Sequence, residues 1–152
     1  MTRRSAFERG DAPIAIGADG AGLVREADVM RPHASMYGAP GPIGVAYYDF
    51  GAAPAPAAFL TFDLPPGTGE GVHRHATGDP APGPFEEYYY VVSGEGAMVI
   101  EGITTPIRAG DMVRAPLGVA HGVFNTASAA NLKVLVCFIA RREELCASAN
   151  PA

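Results

Sequence analysis

The feature that most constrains the fold is a pair of histidines separated by one residue, His73-Arg74-His75. On a β-strand, alternate side chains point to the same face, so both imidazoles would lie on one side of the strand. On an α-helix, residues two apart do not face each other, so the pair favours a strand. Two imidazoles on one face are well placed to bind a transition metal.

A carboxylate and a third histidine complete the candidate site. Glu87 begins an aromatic and β-branched run, residues 87–92, which is typical of a strand. His121 follows the turn-forming residues 116–118. We therefore predict one metal site formed by His73, His75, Glu87 and His121. Such ligands suit Fe, Mn, Ni, Co, Cu or Zn, and an ion that takes five or six ligands would keep open positions for catalysis.

The same residues form two motifs that resemble those of the cupin family. The first family motif, G-x5-H-x-H-x3,4-E-x6-G, matches at Gly67, His73, His75, Glu87 and Gly94. The second, G-x5-P-x-G-x2-H-x3-N, matches at Gly110, Pro116, Gly118, His121 and Asn125. The resemblance covers about residues 45 to 140. It implies a cupin double-stranded β-helix, a jelly-roll barrel whose interior holds the metal.

One departure from the family pattern leaves the carboxylate ligand open. Eleven residues separate His75 from Glu87, where the family has three or four. Asp79 lies at the family distance, but Pro80 follows it and no glycine comes at the expected spacing. Glu86 would point to the opposite face of the strand. Glu87 keeps the spacing to a following glycine and is preferred, with Asp79 as the alternative. The intervening loop is interpreted either as a substrate-selecting rim or as a passive insertion.

Composition and pattern predict an all-β fold. Gly (19) and Pro (14) are frequent, which favours short strands with tight turns, about nine to eleven of them. We assign residues 45–140 to the barrel, 1–44 to an N-terminal arm that packs on the barrel or on a partner, and 141–152 to a C-terminal tail. In the predicted strand 57–64, apolar residues occur on both faces, so the pattern does not say which face is buried.

Three further residues are candidates for contact with a substrate. If Glu87 faces inward, Tyr89 shares its face and is the predicted catalytic residue. Its phenol could donate a hydrogen bond to a substrate or act as an acid, and the alternative is an aromatic wall of the pocket. Tyr89, Asn125 and Phe85 are the predicted substrate-binding residues. Asn125 could instead hold a turn through its side-chain amide.

Net charge, hydropathy and cysteine content limit the possible binding partners and the expected cellular location. A net charge of −5 without a basic cluster argues against nucleic acid. No apolar run reaches the ~20 residues needed to span a bilayer, and no apolar segment follows the basic start, so neither a membrane span nor a secretory signal is expected. The two cysteines, Cys137 and Cys146, do not form a disulfide framework, which favours the cytoplasm. The resemblance adds a homodimer as the expected assembly.

The resemblance implies a metal-dependent enzyme acting on a small keto, hydroxy-acid or phenolic molecule. An iron-dependent dioxygenase is the preferred prediction, which makes iron the preferred metal. The first alternative is a redox-neutral isomerase, lyase, cyclase or decarboxylase that uses the metal as a Lewis acid. The second alternative is a cupin that binds a small molecule without turning it over, because a fold does not determine a function.

Overall fold

Nearly all the regular structure is β. The computed structural model describes residues 14–15, 22–48, 57–78 and 84–140. These ranges contain one short helix, α1 (Glu26–Val29), and the strands β1 (Ile14–Ala15), β2 (Gly22–Leu23), β3 (Met30–His33), β4 (Ile43–Tyr48), β5 (Ala57–Leu64), β6 (Gly69–His73), β7 (Phe85–Ser93), β8 (Glu95–Ile100), β9 (Ile103–Arg108), β10 (Met112–Ala115), β11 (His121–Phe124) and β12 (Leu132–Ala140). The prediction of an all-β fold is confirmed, and the extra strands β1–β3 fall in the predicted arm.

The strands form two main antiparallel sheets. The six-stranded sheet has the order β10-β7-β12-β5-β4-β3, and the four-stranded sheet has the order β6-β11-β8-β9. Apolar side chains from both sheets, such as Phe62, Val134 and Met98, belong to one buried cluster. Two sheets packed over a shared core form the double-sheet architecture of a jelly roll.

Alternation along the central strands decides which faces are buried. In β5, Leu60, Phe62 and Leu64 are at most 1% exposed, whereas Phe59 on the other face is 43% exposed. This resolves the face that the sequence pattern left open. In β7, Tyr90 is 38% exposed and lies on the outer face, as its position relative to Glu87 predicts.

The N-terminal region joins the six-stranded sheet at its edge. β3 pairs with β4, with Met30 opposite Ala46. The predicted boundary between residues 44 and 45 therefore falls inside β4, and the division into arm and barrel stays a prediction. The tail 141–152 lies outside the described residues. No helix in the described ranges has the length and apolar character needed to cross a membrane.

Candidate metal centre

The three histidines come from neighbouring segments of the four-stranded sheet. His73 ends β6 and pairs in register with His121, which begins β11. His75 lies two residues beyond the end of β6, so the prediction of one strand carrying both histidines holds only for the first of them. The backbone carbonyl of His75 accepts a 2.7 Å hydrogen bond from the Gly118 N–H. The Nε2 atoms of His73 and His75 nevertheless lie 3.2 Å apart.

The carboxylate comes from the opposite sheet. Glu87 lies on β7 and is fully buried. Its Oε2 lies 3.4 Å from the Nε2 of His75 and 3.7 Å from that of His73, and it also contacts the Nε2 of His121. One ligand atom from each of the four residues lies within 4.8 Å of all the others. The alternative ligand Asp79 lies outside the described residues.

Backbone carbonyls orient two of the imidazoles. The Nδ1 of His73 lies 2.9 Å from the carbonyl of Gly71, and the Nδ1 of His121 lies 2.8 Å from the carbonyl of Val119. A carbonyl has no hydrogen to give, so each Nδ1 donates, and a neutral ring keeps its lone pair on Nε2. Metal-ligating histidines typically have such a partner on the other ring nitrogen. Both rings therefore present Nε2 lone pairs to the centre of the site.

The carboxylate fits a cation better than it fits its protein surroundings. The Oε1 of Glu87 is buried and has no hydrogen-bond partner in the described structure. A buried carboxylate oxygen without a partner is costly. Ligands about 2.1 Å from one ion in an octahedron are about 3.0 Å or 4.2 Å apart, and the distances from Glu87 Oε2 to the Nε2 atoms of His73 and His75 fall in this range. The described residues therefore fit a divalent metal ion.

The electrostatics of Glu87 agree with an ionised ligand. Burial by itself would raise the pKa of this carboxyl, but the imidazole groups of His121, His73 and His75 around it outweigh burial and lower the pKa below its ordinary value. Glu87 is therefore a carboxylate, the form that binds a metal. By contrast, Glu86 points to the other face of β7 and forms an ion pair with Arg114, with a separation of 2.8 Å.

Behind Glu87 lies a second buried carboxyl, that of Glu70, which the sequence analysis missed. The Tyr89 hydroxyl lies 2.8 Å from Oε2 of Glu87 and 2.9 Å from Oε2 of Glu70. Its single hydrogen cannot serve both carboxyls, so one of them must carry its own. Burial, followed by the charge of Glu87, raises the pKa of Glu70 well above its ordinary value. Glu70 is therefore the carboxyl that keeps a proton.

A bulge in β6 explains why Glu70 escaped the pattern analysis. Residues three apart on a regular strand point to opposite faces, so Glu70 and His73 should not converge. However, β6 advances by three residues, from Glu70 to His73, where β11 advances by two, from His121 to Val123. The extra residue turns Glu70 to the same side as His73. The Nε2 of His73 is 3.7 Å from the Oε1 of Glu70.

The three predicted substrate-binding residues have different surroundings in the structure. Phe85 begins β7 and stacks on Phe138, with ring centroids 5.5 Å apart, and Phe138 meets His75 edge-on at 5.9 Å. These two rings form an apolar wall beside the cluster, and Phe138 had no motif to reveal it. Tyr89 is fully buried and contacts carboxyls, so its catalytic role stays a prediction.

The side chain of Asn125 forms hydrogen bonds with the backbone of neighbouring segments. Its Nδ2 donates to the carbonyls of Leu64 at 2.7 Å and Ala130 at 2.8 Å, and its Oδ1 accepts from the Ala127 N–H at 2.9 Å. These bonds use both amide hydrogens and match the turn-holding alternative. Substrate binding by Asn125 stays a prediction that these contacts do not support.

Comparison with known proteins agrees with this architecture. The model of the cupin domain family matches residues 60–138. Because that match spans more than half of the chain, the chain belongs to the cupin family.

The chain is also similar to a curated protein and to a solved structure, both from Thermotoga maritima. It is 32% identical over 112 residues to an oxalate-binding protein, covering 71% of this chain and 87% of that protein. It also resembles the crystal structure of a predicted oxalate decarboxylase, with 29% identity, a TM-score of 0.68 and coverage of 78% of this chain and 99% of the other. The chain also shares its fold with the crystal structure of a cupin barrel protein from Salinispora arenicola. The two are 20% identical with a TM-score of 0.56, and the match covers 71% of this chain and 85% of the other.

Proposed function

We propose that this cupin holds one divalent metal ion with His73, His75, Glu87 and His121 and binds a small carboxylate of the oxalate class at that ion. The proposal rests on the carboxylate of Glu87, whose Oε2 lies beside three imidazole nitrogens while its buried Oε1 has no partner among the described residues. The names given to the Thermotoga maritima sequence match and structure match support oxalate as the ligand class.

The surroundings of the four residues suit a small ligand. When bound, a divalent ion supplies Lewis acidity that attracts a carboxylate oxygen and stabilises negative charge on it. Tyr89 donates a hydrogen bond to Glu87 and fixes the orientation of its carboxylate. Phe85 and Phe138 limit the space next to His75 and keep water from that side.

The reaction class that agrees best with the relatives is decarboxylation. Such a reaction cleaves a carbon–carbon bond, releases carbon dioxide and places a proton on the remaining carbon. It needs no net oxidant and corresponds to the redox-neutral alternative of the sequence analysis. The iron-dependent dioxygenase stays a second candidate, because four protein ligands leave two positions of a six-coordinate ion for a substrate and dioxygen.

The homodimer also stays a prediction, and light scattering of the purified protein tests it.

Binding is tested by metal analysis and titration calorimetry. We expect about one equivalent of metal per chain, with oxalate binding to the loaded protein and not to the chelator-treated protein. The paired variants Glu87→Ala and Asp79→Ala decide the carboxylate ligand, and only Glu87→Ala should lose the metal. A wild-type protein that takes up no metal after reconstitution, or that binds oxalate equally well without metal, would contradict the proposal.

Turnover is tested separately. Loaded protein is incubated with oxalate and with related keto acids, with and without dioxygen, while formate, carbon dioxide and dissolved oxygen are measured. Formate formation without net oxygen consumption supports decarboxylation. Oxygen uptake in step with substrate loss supports the dioxygenase, and tight binding without either product supports the non-catalytic alternative.

A further inference from the structure

A tyrosine from outside both cupin motifs lies flat against one of the candidate ligands. The rings of Tyr37 and His73 have centroids 3.8 Å apart and planes within 7° of parallel. His73 meets His75 edge-on and is tilted relative to His121, so Tyr37 is its one parallel aromatic neighbour among the described residues. Tyr37 is 50% exposed and therefore covers His73 from the solvent side.

The backbone at Tyr37 is strained. Its φ of +48° lies in the left-handed region, where a bulky side chain crowds the backbone. Such conformations persist where surrounding contacts impose them, and they concentrate at functional sites. A tyrosine is a poor choice for this position on conformational grounds alone, since glycine or asparagine would fit it with less strain. The side chain must therefore contribute something that outweighs the strain.

The turn that carries Tyr37 is anchored to the strand of the histidines. Residues Met36 and Pro40 accept backbone hydrogen bonds from Gly71 at 2.9 Å and Gly69 at 3.2 Å, both on β6. A Cβ atom on Gly71 would clash with the carbonyl of Tyr37, so the close approach requires glycine there. The turn and His73 are thus held by the same strand, and the ring of Tyr37 has a fixed place over the imidazole.

We propose that Tyr37 is a positioning residue that holds the His73 imidazole in its metal-binding orientation. The carbonyl of Gly71 fixes one edge of the ring, and Tyr37 fixes its plane. The stack also keeps water away from one face of the ligand, as the surroundings of a metal site typically do. This proposal rests on the metal site of the proposed function and names a residue that neither cupin motif contains.

The test compares Tyr37→Asn with Tyr37→Phe. Asparagine tolerates the left-handed backbone but cannot stack, whereas phenylalanine keeps the ring and loses only the hydroxyl. We expect metal binding, measured by chelator competition with Co²⁺, to weaken about 10-fold in Tyr37→Asn and to stay within about 2-fold in Tyr37→Phe. The visible spectrum of bound Co²⁺ should change only in Tyr37→Asn. Tyr90→Asn, at an exposed tyrosine on the outer face of β7, is the matched control and should leave both readouts unchanged.

A second measurement does not need the metal. In the metal-free protein, the ring current of Tyr37 should move the His73 imidazole protons upfield in the NMR spectrum, and Tyr37→Asn should remove that shift. Loss of the shift together with weaker Co²⁺ binding supports the proposal. Wild-type affinity and spectrum in Tyr37→Asn would overturn it while leaving the metal site intact. A wild-type protein that binds no metal would overturn the proposed function as well.

Discussion

The molecule contains two clusters of charged side chains that differ in how their hydrogen bonds are satisfied. On the outer face of the six-stranded sheet, Glu26 accepts from Lys133 at 2.5 Å, Tyr48 at 3.0 Å and Thr61 at 3.1 Å. Both of its carboxylate oxygens have partners. In the buried centre, Oε1 of Glu87 has none. A cluster that only supports the fold satisfies its own polar groups, whereas a binding site leaves a group for its ligand.

The first prediction concerns the buried centre and removes one of its candidate metal ligands. His121→Ala removes an imidazole that is 1% exposed and contacts Glu87, so we expect metal affinity to fall by more than about 100-fold. His33→Ala, at the fourth histidine on the edge strand β3, is the control and should keep its metal. Elemental analysis and chelator competition measure both. Stoichiometric metal in His121→Ala would sink the ligand assignment.

The second prediction concerns the support behind the metal ligand. Tyr89→Phe removes the hydroxyl between two buried carboxyls, so we expect the metal-free protein to lose about 1–3 kcal/mol of unfolding free energy. Because Glu70 serves as a hydrogen-bond donor, Glu70→Gln should be milder than Glu70→Leu, which cannot donate. Urea unfolding at neutral pH measures all three variants. Equal losses for Gln and Leu would mean that Glu70 does not donate.

The third and smallest effect belongs to the outer cluster. Glu26 and Lys133 are about one-third exposed, so a double-mutant cycle with Glu26→Gln and Lys133→Met should give a coupling of about 0.2–1 kcal/mol, with metal binding unchanged. The hydrogen bond from Lys133 is the largest cause that lowers the pKa of Glu26. A lowered carboxyl pKa stabilises the fold above the unfolded value of 4.5, and this contribution is lost as pH falls through the folded pKa. Thermal unfolding between about pH 3 and pH 6 tests this, and a coupling that persists at the acid end would contradict it.

The sequence revealed the parts of the site that depend on local spacing. His73, His75, Glu87 and His121 could be grouped because turns and alternation along strands place them at recognisable intervals. The insertion between His75 and Glu87 did not prevent this, because the spacing from Glu87 to Gly94 survived. The all-β fold followed similarly from short strands and frequent turn residues.

The parts that could not be predicted depend on irregular backbone or on packing between distant segments. The bulge in β6 reverses the face expected for Glu70. Tyr37 reaches His73 through a left-handed turn that has no sequence motif. Phe138 lies near the end of β12 and meets Phe85 only because β12 pairs with β7. A sequence pattern describes one regular element at a time, whereas Tyr37 and Phe138 contact residues far away in the chain and Glu70 lies on an irregular strand.

The long connection between His75 and Glu87 also bears on how this protein could change over time. Each end is held independently, His75 by its hydrogen bond to Gly118 and Glu87 by the pairing of β7 with β10. Extending the connection from about four residues to eleven costs only about 1 kcal/mol of closure entropy. Insertions, deletions or grafted segments at this point should therefore be tolerated while the ligand geometry stays the same. Mutation and laboratory evolution can vary this connection with little penalty in folding.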